Sequence, residues 1–312
     1  MCSIVLSASS LAFPSSSEHL FGRRAPLVAE VGVGSGGFIA NLAKRRPDVN
    51  ILGIDRAPQS IARSYRRLLH DDIRNARLFK GDAEWFVRNV IPAGGLDRVY
   101  VNFPDPWPRK KHHERRLLQA SFLRLLASRL AADGDVLVTT DHEEYFQFVL
   151  HSAEEAACYH VVSPDPTPEV LETKWARKAD VHYHAVLSPS DEVADVHANV
   201  EVTDTMYHAV VGGSLPDFAP FERRTFTYRD GVVVLMDAYR PLSGTGVVFL
   251  VHVEEKGLTQ EVLVEVREGK EGFVVALRRF GEPLHTRGLR AAVRVITEWL
   301  VEQGMDIIHR KY

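Results

Sequence analysis

The segment LVAEVGVGSGGFIANLAKRR, residues 27–46, decides the fold. Leu27–Val33 is a short apolar run that predicts a strand, and Gly36–Arg46 has hydrophobic residues at helical spacing. A strand, a glycine-rich turn and a helix in this order open a βαβ unit. Glycines in the turn permit a tight bend and let a ligand approach the backbone closely. The alternative interpretation is a plain strand–helix turn without a ligand.

The same alternation continues through the first half of the chain. Further predicted strands are Asn50–Ile54, Ala76–Lys80, Leu96–Asn102 and Asp135–Thr140. Predicted helices are Pro58–His70, Ala83–Val90, Arg115–Leu130 and Glu143–Ala153. Strands that alternate with helices predict a parallel sheet with helices on both faces, an α/β fold.

The second half of the chain has a different pattern. Its predicted strands are Val200–Thr203, Arg223–Tyr228, Val232–Asp237, Val247–Glu254, Gln260–Val266 and Gly272–Leu277. Asp230-Gly231 is a hairpin signal, and Thr286–Gln303 predicts a helix that Gly304 stops. These elements predict a smaller α+β domain with a boundary near Ser188–Asp191. The expected organisation is therefore an N-terminal leader (1–19), an α/β domain (20–188) and a C-terminal extension (189–312).

Composition excludes several classes of protein. The 312 residues are 45% hydrophobic and 25% charged, which is typical of globular proteins rather than disordered or coiled-coil chains. No apolar stretch is long enough to predict a transmembrane helix. With Cys2 and Cys158 alone, a disulfide scaffold is excluded and a reducing compartment, the cytoplasm, is expected. The N-terminus lacks a positive n-region, so no signal peptide is expected.

Charge is distributed unevenly between the two halves. Residues 1–189 contain 24 lysines and arginines and 22 acidic residues, a net charge of +2. Residues 190–312 contain 14 and 19, a net charge of −5. An anionic partner is therefore expected to bind the first half.

Acidic residues accompany the glycine-rich turn. Glu30 precedes the first glycine by two residues, where a carboxylate can face the positive methionine portion of S-adenosylmethionine. Asp55 ends the second strand, where it can accept the ribose hydroxyls of this cofactor or of NAD. Asp82 follows the third strand and can meet the adenine amino group, a role without a counterpart in NAD enzymes. The predicted glycines of this cofactor site are Gly32, Gly34 and Gly36.

Each of these assignments has a plainer alternative. Read literally, Gly32, Gly34 and Gly37 match the dinucleotide fingerprint, which alone is a weak signal. Asp55 can be a solvated strand end or a helix cap. Asp82 can simply begin a helix.

The most specific segment is NFPDPWP, residues 102–108, which follows the fourth strand. Its three prolines predict a rigid, extended turn at the carboxyl ends of the strands, where ligands of open α/β sheets bind. Asp105 and Trp107 lie inside this turn. The basic run RKKHHERR follows at 109–116 and is suited to binding phosphates, although such runs are often only solvated faces. Adjacent His112 and His113 lack ligand partners at metal spacing, so no metal site is predicted.

Together these motifs resemble the bacterial tRNA (guanine-N7)-methyltransferases over about residues 20–188, with an additional C-terminal domain. The motifs that carry the resemblance are Glu30–Gly37, Asp55, Gly81-Asp82-Ala83, Asn102–Arg116, Thr140-Asp141 and Thr173-Lys174-Trp175. The resemblance implies the Rossmann-like class I fold of S-adenosylmethionine-dependent methyltransferases, with a late antiparallel strand at Val181–Leu187. It implies transfer of a methyl group to N7 of a guanine in the tRNA variable loop, at position 46. The implied partner is tRNA, with no membrane and an oligomeric state, monomer or homodimer, left open.

The resemblance also implies roles for single residues. Glu30, Asp55 and Asp82 would line the cofactor together with Ala83 and Asn102. Asp105, Asp141 and Thr173 match guanine-pocket positions, and His112 or His113 matches a motif histidine. The expected substrate contacts are Asp105, Trp107, Arg109, Lys110, Lys111, His112, His113, Arg116, Asp141, Thr173 and Lys174. The chain departs from the family pattern at Ala176, where Glu is usual, at Trp175, where Tyr or Phe is usual, and at Asp55, where Glu is common.

The chemistry of guanine explains why carboxylates belong in such a site. Guanine N7 has an in-plane lone pair and needs no general base, so the task is alignment of the reacting atoms. The Watson–Crick edge offers two adjacent donors, and an ionised carboxylate accepts both. We expect Asp105 or Asp141 to make this pair. Alternatives are a helix cap for Asp141, a turn hydroxyl for Thr173, and packing against prolines rather than base stacking for Trp107.

Three other functions fit parts of the sequence. A DNA or protein N-methyltransferase would use an Asn/Asp-Pro-Pro-aromatic turn, which Asn102-Phe103-Pro104 imitates poorly. An NAD-dependent oxidoreductase would need a hydride-transfer site, and no such set of residues is evident. A non-catalytic RNA-binding protein on a methyltransferase fold would fit Ala176, but Glu30, Asp105 and Asp141 are intact. In the tail, Arg287, Arg290 and Arg294 share a helix face that is either solvated or in contact with tRNA.

Overall fold

The computed structural model describes residues 3–8, 11–190, 193, 196, 206–242, 245–255, 257–278, 280 and 283–312. The chain divides into two compact units, residues 1–198 and 199–312. The predicted strand Val200–Thr203 lies outside the described residues, as do Cys2 and Asp191.

The first unit contains an eight-stranded sheet. Its strands are β1 (Val5–Leu6), β2 (Leu27–Val31), β3 (Asn50–Asp55), β4 (Ala76–Lys80), β5 (Leu96–Asn102), β6 (Leu130–Thr140), β7 (Tyr159–Val162) and β8 (Tyr183–Pro189). The spatial order is β1-β4-β3-β2-β5-β6-β8-β7; β8 pairs antiparallel with both β6 and β7, and the other neighbouring strands pair in parallel. This order reverses beside β2, as in doubly wound sheets. The predicted Rossmann-like fold is confirmed, including the late antiparallel strand.

Helices cover both faces of this sheet. They are α1 (Ser17–Phe21), α2 (Gly37–Arg45), α3 (Pro58–His70), α4 (Ala83–Asn89), α5 (Ala120–Ala127), α6 (Glu143–Ala156) and α7 (Pro168–Leu171). Helix α3 has the predicted bounds because Pro58 occupies its first turn and Ile61, Ser64 and Leu68 form a buried stripe. The predicted leader, residues 1–19, contributes β1, which pairs with β4.

The predicted helix Arg115–Leu130 is too long at both ends. A 3-10 helix covers Lys110–Arg115, α5 extends only from Ala120 to Ala127, and Leu130 already begins β6. Between the 3-10 helix and α5, Arg116 has extended backbone angles (φ −61°, ψ 131°), and its side chain donates to the carbonyl of Pro106 at 2.9 Å. This tertiary contact overrides the helical pattern of the sequence.

The second unit is a seven-stranded antiparallel sheet with one long helix. Its strands are β9 (His208–Gly212), β10 (Arg224–Tyr228), β11 (Gly231–Tyr239), β12 (Gly246–Glu255), β13 (Leu258–Glu268), β14 (Phe273–Leu277) and β15 (Asp306–Lys311). Helix α8 (Arg287–Glu302) packs its apolar face on the sheet, and Trp299 meets Phe249 edge-on at 5.6 Å. The Asp-Gly hairpin is present, with Tyr228 paired to Gly231. The α+β prediction for this part of the fold is confirmed.

Among the described residues, no helix has the length and apolar character needed to span a membrane.

Candidate active site

The candidate site lies where the parallel strands of the first unit end. Strand β2 pairs with β3 and with β5, so that Val31 lies opposite both Ile54 and Val101. Strand β5 continues the edge, with Asn102 opposite Thr139 of β6. The carboxyl ends of these strands therefore form one edge, and the order of the sheet reverses there, which is where ligands of such folds bind.

The glycine-rich turn after β2 shapes one side of this edge. Gly32, Gly34 and Gly36 all have left-handed backbone angles, with φ of 87°, 52° and 73°. A Cβ atom at Gly32 or Gly34 would meet nothing within 4 Å, so the backbone there borders open space. A Cβ at Gly36 would lie 2.6 Å from the Cα of Ser64 in α3. Gly36 therefore permits close packing, whereas Gly32 and Gly34 leave room for a ligand.

Glu30 is a buried acid at the end of β2. Its side chain is only 3% exposed. Burial raises the pKa of Glu30 to about 8, and the negative charge of Asp55 adds to the shift. Glu30 Oε2 and both polar atoms of the Asn102 amide are buried without a hydrogen bond of good geometry in the part of the chain that the structure describes, although the Asn102 amide and the Ile39 N–H lie close enough to Glu30 to offset part of its raised pKa. Such orphaned polar atoms are costly unless a ligand completes their hydrogen bonds.

Asp55 links the end of β3 to the glycine-rich turn. Its Oδ2 accepts the Gly34 N–H at 3.1 Å, and its Oδ1 accepts the Ala57 N–H at 2.8 Å. The carboxylate is thereby oriented, and each oxygen retains a lone pair for a further donor. This geometry suits a vicinal diol beside the turn.

Asp82 has a clear structural role. It is the N-cap of α4, where its Oδ1 accepts the Trp85 N–H at 2.8 Å. Its Oδ2 lies 3.7 Å from Nε of Arg56. The next residue, Ala83, is buried. The helix-start alternative is therefore present in the structure, and the predicted contact of Asp82 with adenine stays a prediction.

The residues on this side fit S-adenosylmethionine. The cofactor has an ammonium group, a ribose diol and a positively charged sulfonium. Glu30 and Asn102 have buried atoms that lack partners, and Asp55 is aimed by two backbone N–H groups. A cation next to Glu30 would favour its ionised form and remove the cost of burying that charge.

The Pro-Asp-Pro-Trp turn after β5 shapes the other side of the edge. Phe103 and Trp107 both have positive φ, 51° and 43°, which is uncommon for bulky residues. The Phe103 N–H donates to the carbonyl of Thr139 at 2.7 Å, which anchors the start of the turn to β6. Strained backbone of this kind persists only where surrounding contacts fix it, and it occurs preferentially at functional sites.

Trp107 is half-buried beneath the basic run. Its ring meets His112 edge-on at 5.8 Å, and the Arg115 guanidinium lies 5.3 Å from its centre. These contacts hold the indole at the turn. They place a cation beside the aromatic ring that was predicted to contact a base.

Arg116 has a different role from the predicted substrate contact, which is a correction. Its side chain is 2% exposed and lies over the rings of Tyr145 and Phe148 at 5.7 and 5.0 Å. One nitrogen donates to the Pro106 carbonyl and another to Glu144 at 2.8 Å. A guanidinium with these partners cannot bind a phosphate in this conformation. It clamps the turn onto α6 instead.

Asp105 is exposed at the tip of the clamped turn. It forms no hydrogen bond or ion pair with any residue that the structure describes. The pKa of the nearby Tyr145 is raised, first by burial and also by the negative charge of Asp105. Asp105 is therefore a carboxylate held near the sheet edge by its neighbours and left unpaired for a ligand.

The alternative role of Asp141 as a helix cap is wrong. His142 caps α6, and its Nδ1 accepts the Tyr145 N–H at 3.2 Å. Asp141 itself is exposed at the end of β6, with no ion pair or hydrogen bond among the described residues. The structure thus gives two unpaired carboxylates, Asp105 and Asp141, at the ends of adjacent strands.

The Thr173–Ala176 segment reaches the same region. Thr173 Oγ1 accepts the Ala176 N–H at 3.1 Å, so the predicted turn hydroxyl is present. The Ala176 carbonyl lies 2.8 Å from Nε2 of His182, whose ring meets Phe103 edge-on at 6.1 Å. Thr140 pairs with Tyr183, which sets Asp141 beside the start of β8.

The side chains around Thr173 differ in exposure. Ala176 is 3% exposed, so a glutamate at this position would be buried. Lys174 is exposed, and Trp175 is 57% exposed with Nζ of Lys178 5.5 Å from its ring centre. Lys174 and Trp175 therefore lie on the surface, whereas Ala176 is part of the interior, and the predicted substrate contacts of Thr173 and Lys174 stay predictions.

The other predicted phosphate contacts lie on the surface. Arg109, Lys110 and Lys111 are exposed and form no ion pair within the described ranges of the chain. His113 differs, because its Nε2 lies 3.4 Å from Glu144. The first half of the basic run is therefore available to an anion.

Comparison with known proteins identifies the family. The sequence model described as "Putative methyltransferase" matches residues 24–184. The tRNA (guanine-N(7)-)-methyltransferase of Thermus thermophilus is 39% identical over 95% of this chain and 96% of its own length. This chain belongs to the tRNA (guanine-N7)-methyltransferase family. The family member of Deinococcus radiodurans is 41% identical over 92% of both chains. Alignments of this extent continue through the C-terminal unit, so both relatives share it.

Similarity to solved structures is weaker. A 30S ribosomal A1408 methyltransferase from an uncultured bacterium has a TM-score of 0.41 and 15% identity, covering 57% of this chain and 99% of its own.

Sequence reasoning missed two residues that shape this candidate site. Phe103 carries the strained start of the turn, and His182 links the turn to Ala176. Both depend on contacts between distant segments, for which the sequence contains no local signal.

Proposed function

We propose that this protein transfers a methyl group from S-adenosylmethionine to N7 of a guanine in the tRNA variable loop, at position 46. One observation carries the proposal. Buried Glu30, whose Oε2 has no hydrogen-bond partner among the described residues, and the buried Asn102 amide share a sheet edge with Asp105 and Asp141, two exposed carboxylates that form no hydrogen bond or ion pair in the described chain. The first pair suits a cationic cofactor and the second suits the donor edge of guanine.

On the cofactor side, Glu30 would bind the ammonium group and Asp55 the ribose hydroxyls. Gly32 and Gly34 would let the methionine portion approach the backbone, and Asp82, Ala83 and Asn102 would line the remainder. When bound, the cofactor supplies an electrophilic methyl group on its sulfonium. The residues contribute orientation and a negative potential that favours the cation.

On the substrate side, Asp105 would accept the ring N–H and the amino group of guanine together. The turn that carries Asp105 is fixed by the strained Phe103 and Trp107 and by the clamp of Arg116, so little ordering is needed when guanine binds. Asp141 would lie beside the ring and stabilise the positive charge that methylation creates. No general base is required, since N7 carries a free lone pair.

The basic segment would hold the tRNA backbone. Arg109, Lys110 and Lys111 are exposed cations that follow Asp105 in the sequence, and Lys174 is exposed too. Thr173 and Lys174 would add contacts to the substrate. Phosphate contacts position a nucleic acid without reading its sequence. We place this activity in the cytoplasm, and we infer that residues 20–188 form the catalytic domain and residues 189–312 an accessory one.

The proposal is tested by incubating the purified protein with labelled S-adenosylmethionine and either unmodified tRNA or duplex DNA. Nucleosides are then analysed by mass spectrometry and the modified position is mapped. The expected product is 7-methylguanosine in the variable loop of tRNA, with no label in DNA. Label on another atom, on DNA, or on neither substrate would contradict the proposal.

A further inference from the structure

Helix α3 carries a stripe of basic residues that the proposed reaction does not use. Arg63, Arg66, Arg67 and His70 are spaced as i, i+3, i+4 and i+7, so they share one helix face. All four are exposed, and residues 58–70 contain no acidic residue. The stripe extends for about 10 Å along the helix.

The arginines of this stripe lack carboxylate partners. The Arg63 guanidinium donates to Ser60 Oγ at 3.5 Å, and Arg66 donates to the Ala62 carbonyl of its own helix. Neither they nor Arg67 form an ion pair with any described residue. Many arginines elsewhere in the unit do pair with acids: Arg45, Arg46, Arg74, Arg88, Arg98 and Arg116. Three unpaired guanidinium groups on one face attract an anion.

The stripe borders the glycine-rich turn. It lines an open groove of about 540 Å³ with Ser35 of that turn and with Asp71. Among the described residues that line the groove, Asp71 is the one acid, and its carboxylate already contacts Lys44 of α2 and the neighbouring His70, each at 2.9 Å. The groove therefore keeps a net positive charge.

The last turn of helix α2 contacts both α3 and α7. Lys44 pairs with Asp71, the C-cap of α3, at 2.9 Å. The adjacent Arg45 pairs with Glu172, the C-cap of α7, at 2.5 Å, immediately before Thr173. The helix that carries the basic stripe and the helix that precedes Thr173 are therefore both anchored to the same end of α2.

We propose that Arg63, Arg66 and Arg67 form a second anchoring surface for the sugar–phosphate backbone of tRNA, separate from the site that receives the guanine. The inference rests on the proposed function and extends it. Backbone contacts of this kind add affinity and a steep salt dependence but no base specificity. The surface would hold the body of the tRNA while the variable loop reaches Asp105.

The test is tRNA binding by the full-length protein across a range of salt concentrations, together with methyl-transfer kinetics. The variant R63Q/R66Q/R67Q keeps the helix and its side-chain stems but removes three charges. We expect its Kd and KM for tRNA to rise about tenfold or more at physiological salt, and the salt slope of log K to fall by about two to three. Affinity for S-adenosylmethionine and kcat at saturating tRNA should not change.

Two control variants make the result specific. R63K/R66K/R67K keeps the charge and should recover most of the affinity. R287Q/R290Q/R294Q removes the same charge from a helix of the C-terminal unit and should leave tRNA affinity within about twofold of the wild type. A stripe variant that binds tRNA with wild-type affinity and salt slope would overturn the inference, and so would an equal loss in the C-terminal variant. Binding is measured without catalysis, so a wild type that binds tRNA but does not methylate it would refute only the proposed function.

Discussion

The two sides of the candidate site are built in opposite ways. On the cofactor side the acids are buried or tied to backbone N–H groups: Glu30 is 3% exposed, and Asp55 accepts two backbone donors. On the guanine side Asp105 and Asp141 are exposed and unpaired within the described residues. On the cofactor side, burial and backbone N–H groups already hold the carboxylates in place. On the guanine side, the carboxylates would gain hydrogen-bond partners only when the substrate binds.

Because of this difference, substitutions on the two sides of the site should have different effects on the protein. Changes on the guanine side should abolish transfer and leave cofactor binding intact, because no contact of Asp105 supports the glycine-rich turn. Changes on the cofactor side should alter affinity, pH dependence and stability together, since the same residues hold the loop and the ligand. The following predictions test this separation.

The largest effect is expected for Asp105→Ala. Loss of the carboxylate leaves two guanine donors unpaired, and we expect kcat/KM to fall by about 100-fold or more. Calorimetry should find the affinity for S-adenosylmethionine unchanged. Asp133→Ala is a matched control. Asp133 is also an exposed aspartate, but it lies near the amino end of β6, whereas the candidate site is at the carboxyl end of that strand. Near-normal turnover of Asp105→Ala would refute its assignment as the guanine acceptor.

The next largest effect is expected in the pH dependence of the affinity for S-adenosylmethionine. Below about 8 the Glu30 carboxyl of the free protein is protonated, because burial raises its pKa to that value. Only the ionised form attracts a cation, so affinity for S-adenosylmethionine should weaken as the pH falls, by up to about tenfold per unit below 8. Titration calorimetry at several pH values measures this slope. Glu30→Gln should bind weakly with little pH dependence, and an equally steep slope in that variant would contradict the assignment.

The raised pKa of Glu30 also predicts how the folding stability of the ligand-free protein depends on pH. A raised folded-state pKa means that the folded protein retains a proton that the unfolded chain has lost. The contribution of Glu30 to stability is therefore present below pH 4.5 and is lost as the pH rises to about 8. Thermal melts should show that Glu30→Gln stabilises the protein relative to wild type at pH 8 more than at pH 5. The reverse order would contradict the buried position of Glu30.

A smaller effect is expected when the substrate is changed instead of the protein. Inosine at position 46 of a tRNA transcript keeps N7 and the ring N–H but lacks the amino group. One of the two hydrogen bonds to Asp105 is then lost, and kcat/KM should fall roughly tenfold. The Asp105→Ala variant serves as the control, since it should no longer distinguish guanine from inosine. Equal rates for both bases with the wild type would exclude the bidentate pair.

The smallest effects concern the glycine-rich turn itself. Gly36→Ala places a Cβ 2.6 Å from Ser64 and should cost about 2 kcal/mol or more of folding free energy. Gly34→Ala meets open space and should cost only about 1 kcal/mol, for its positive φ. Chemical denaturation distinguishes the two. A larger loss of folding free energy for Gly34→Ala than for Gly36→Ala would contradict this description of the turn's packing.

Most of the fold followed from local patterns. The turn at Gly32–Gly37 and helix α3 were predictable because hydrophobic spacing, glycine and Pro58 all favoured the same structure. The failures have two causes. Arg116 interrupts the start of the predicted helix Arg115–Leu130 because its side chain donates to the carbonyl of Pro106, a tertiary contact. At α6 the cause is local, because the Tyr145 N–H donates to Nδ1 of His142 and not to Asp141.

Local sequence patterns also do not predict strand β15. Strand β15 is exposed along its whole length, so no alternation of apolar and polar residues marks it, and its pairing with β9 defines it. In the site, the residue types at Glu30, Asp55 and Asp105 were evident from the motifs. The sequence does not show that the Asp55 carboxylate accepts backbone N–H groups whereas Asp105 has no partner among the described residues. That difference depends on hydrogen bonds that form only in the folded chain.

The most direct measurement of the central claim uses two tRNA transcripts, one with guanine and one with 7-deazaguanine at position 46. The second base keeps the donor edge for Asp105 but has carbon in place of N7. Mass spectrometry of nucleosides should find 7-methylguanosine in the first transcript and no methylation in the second, which should still compete for binding. Methylation of the 7-deazaguanine transcript at position 46, or no 7-methylguanosine in the first, would contradict the account.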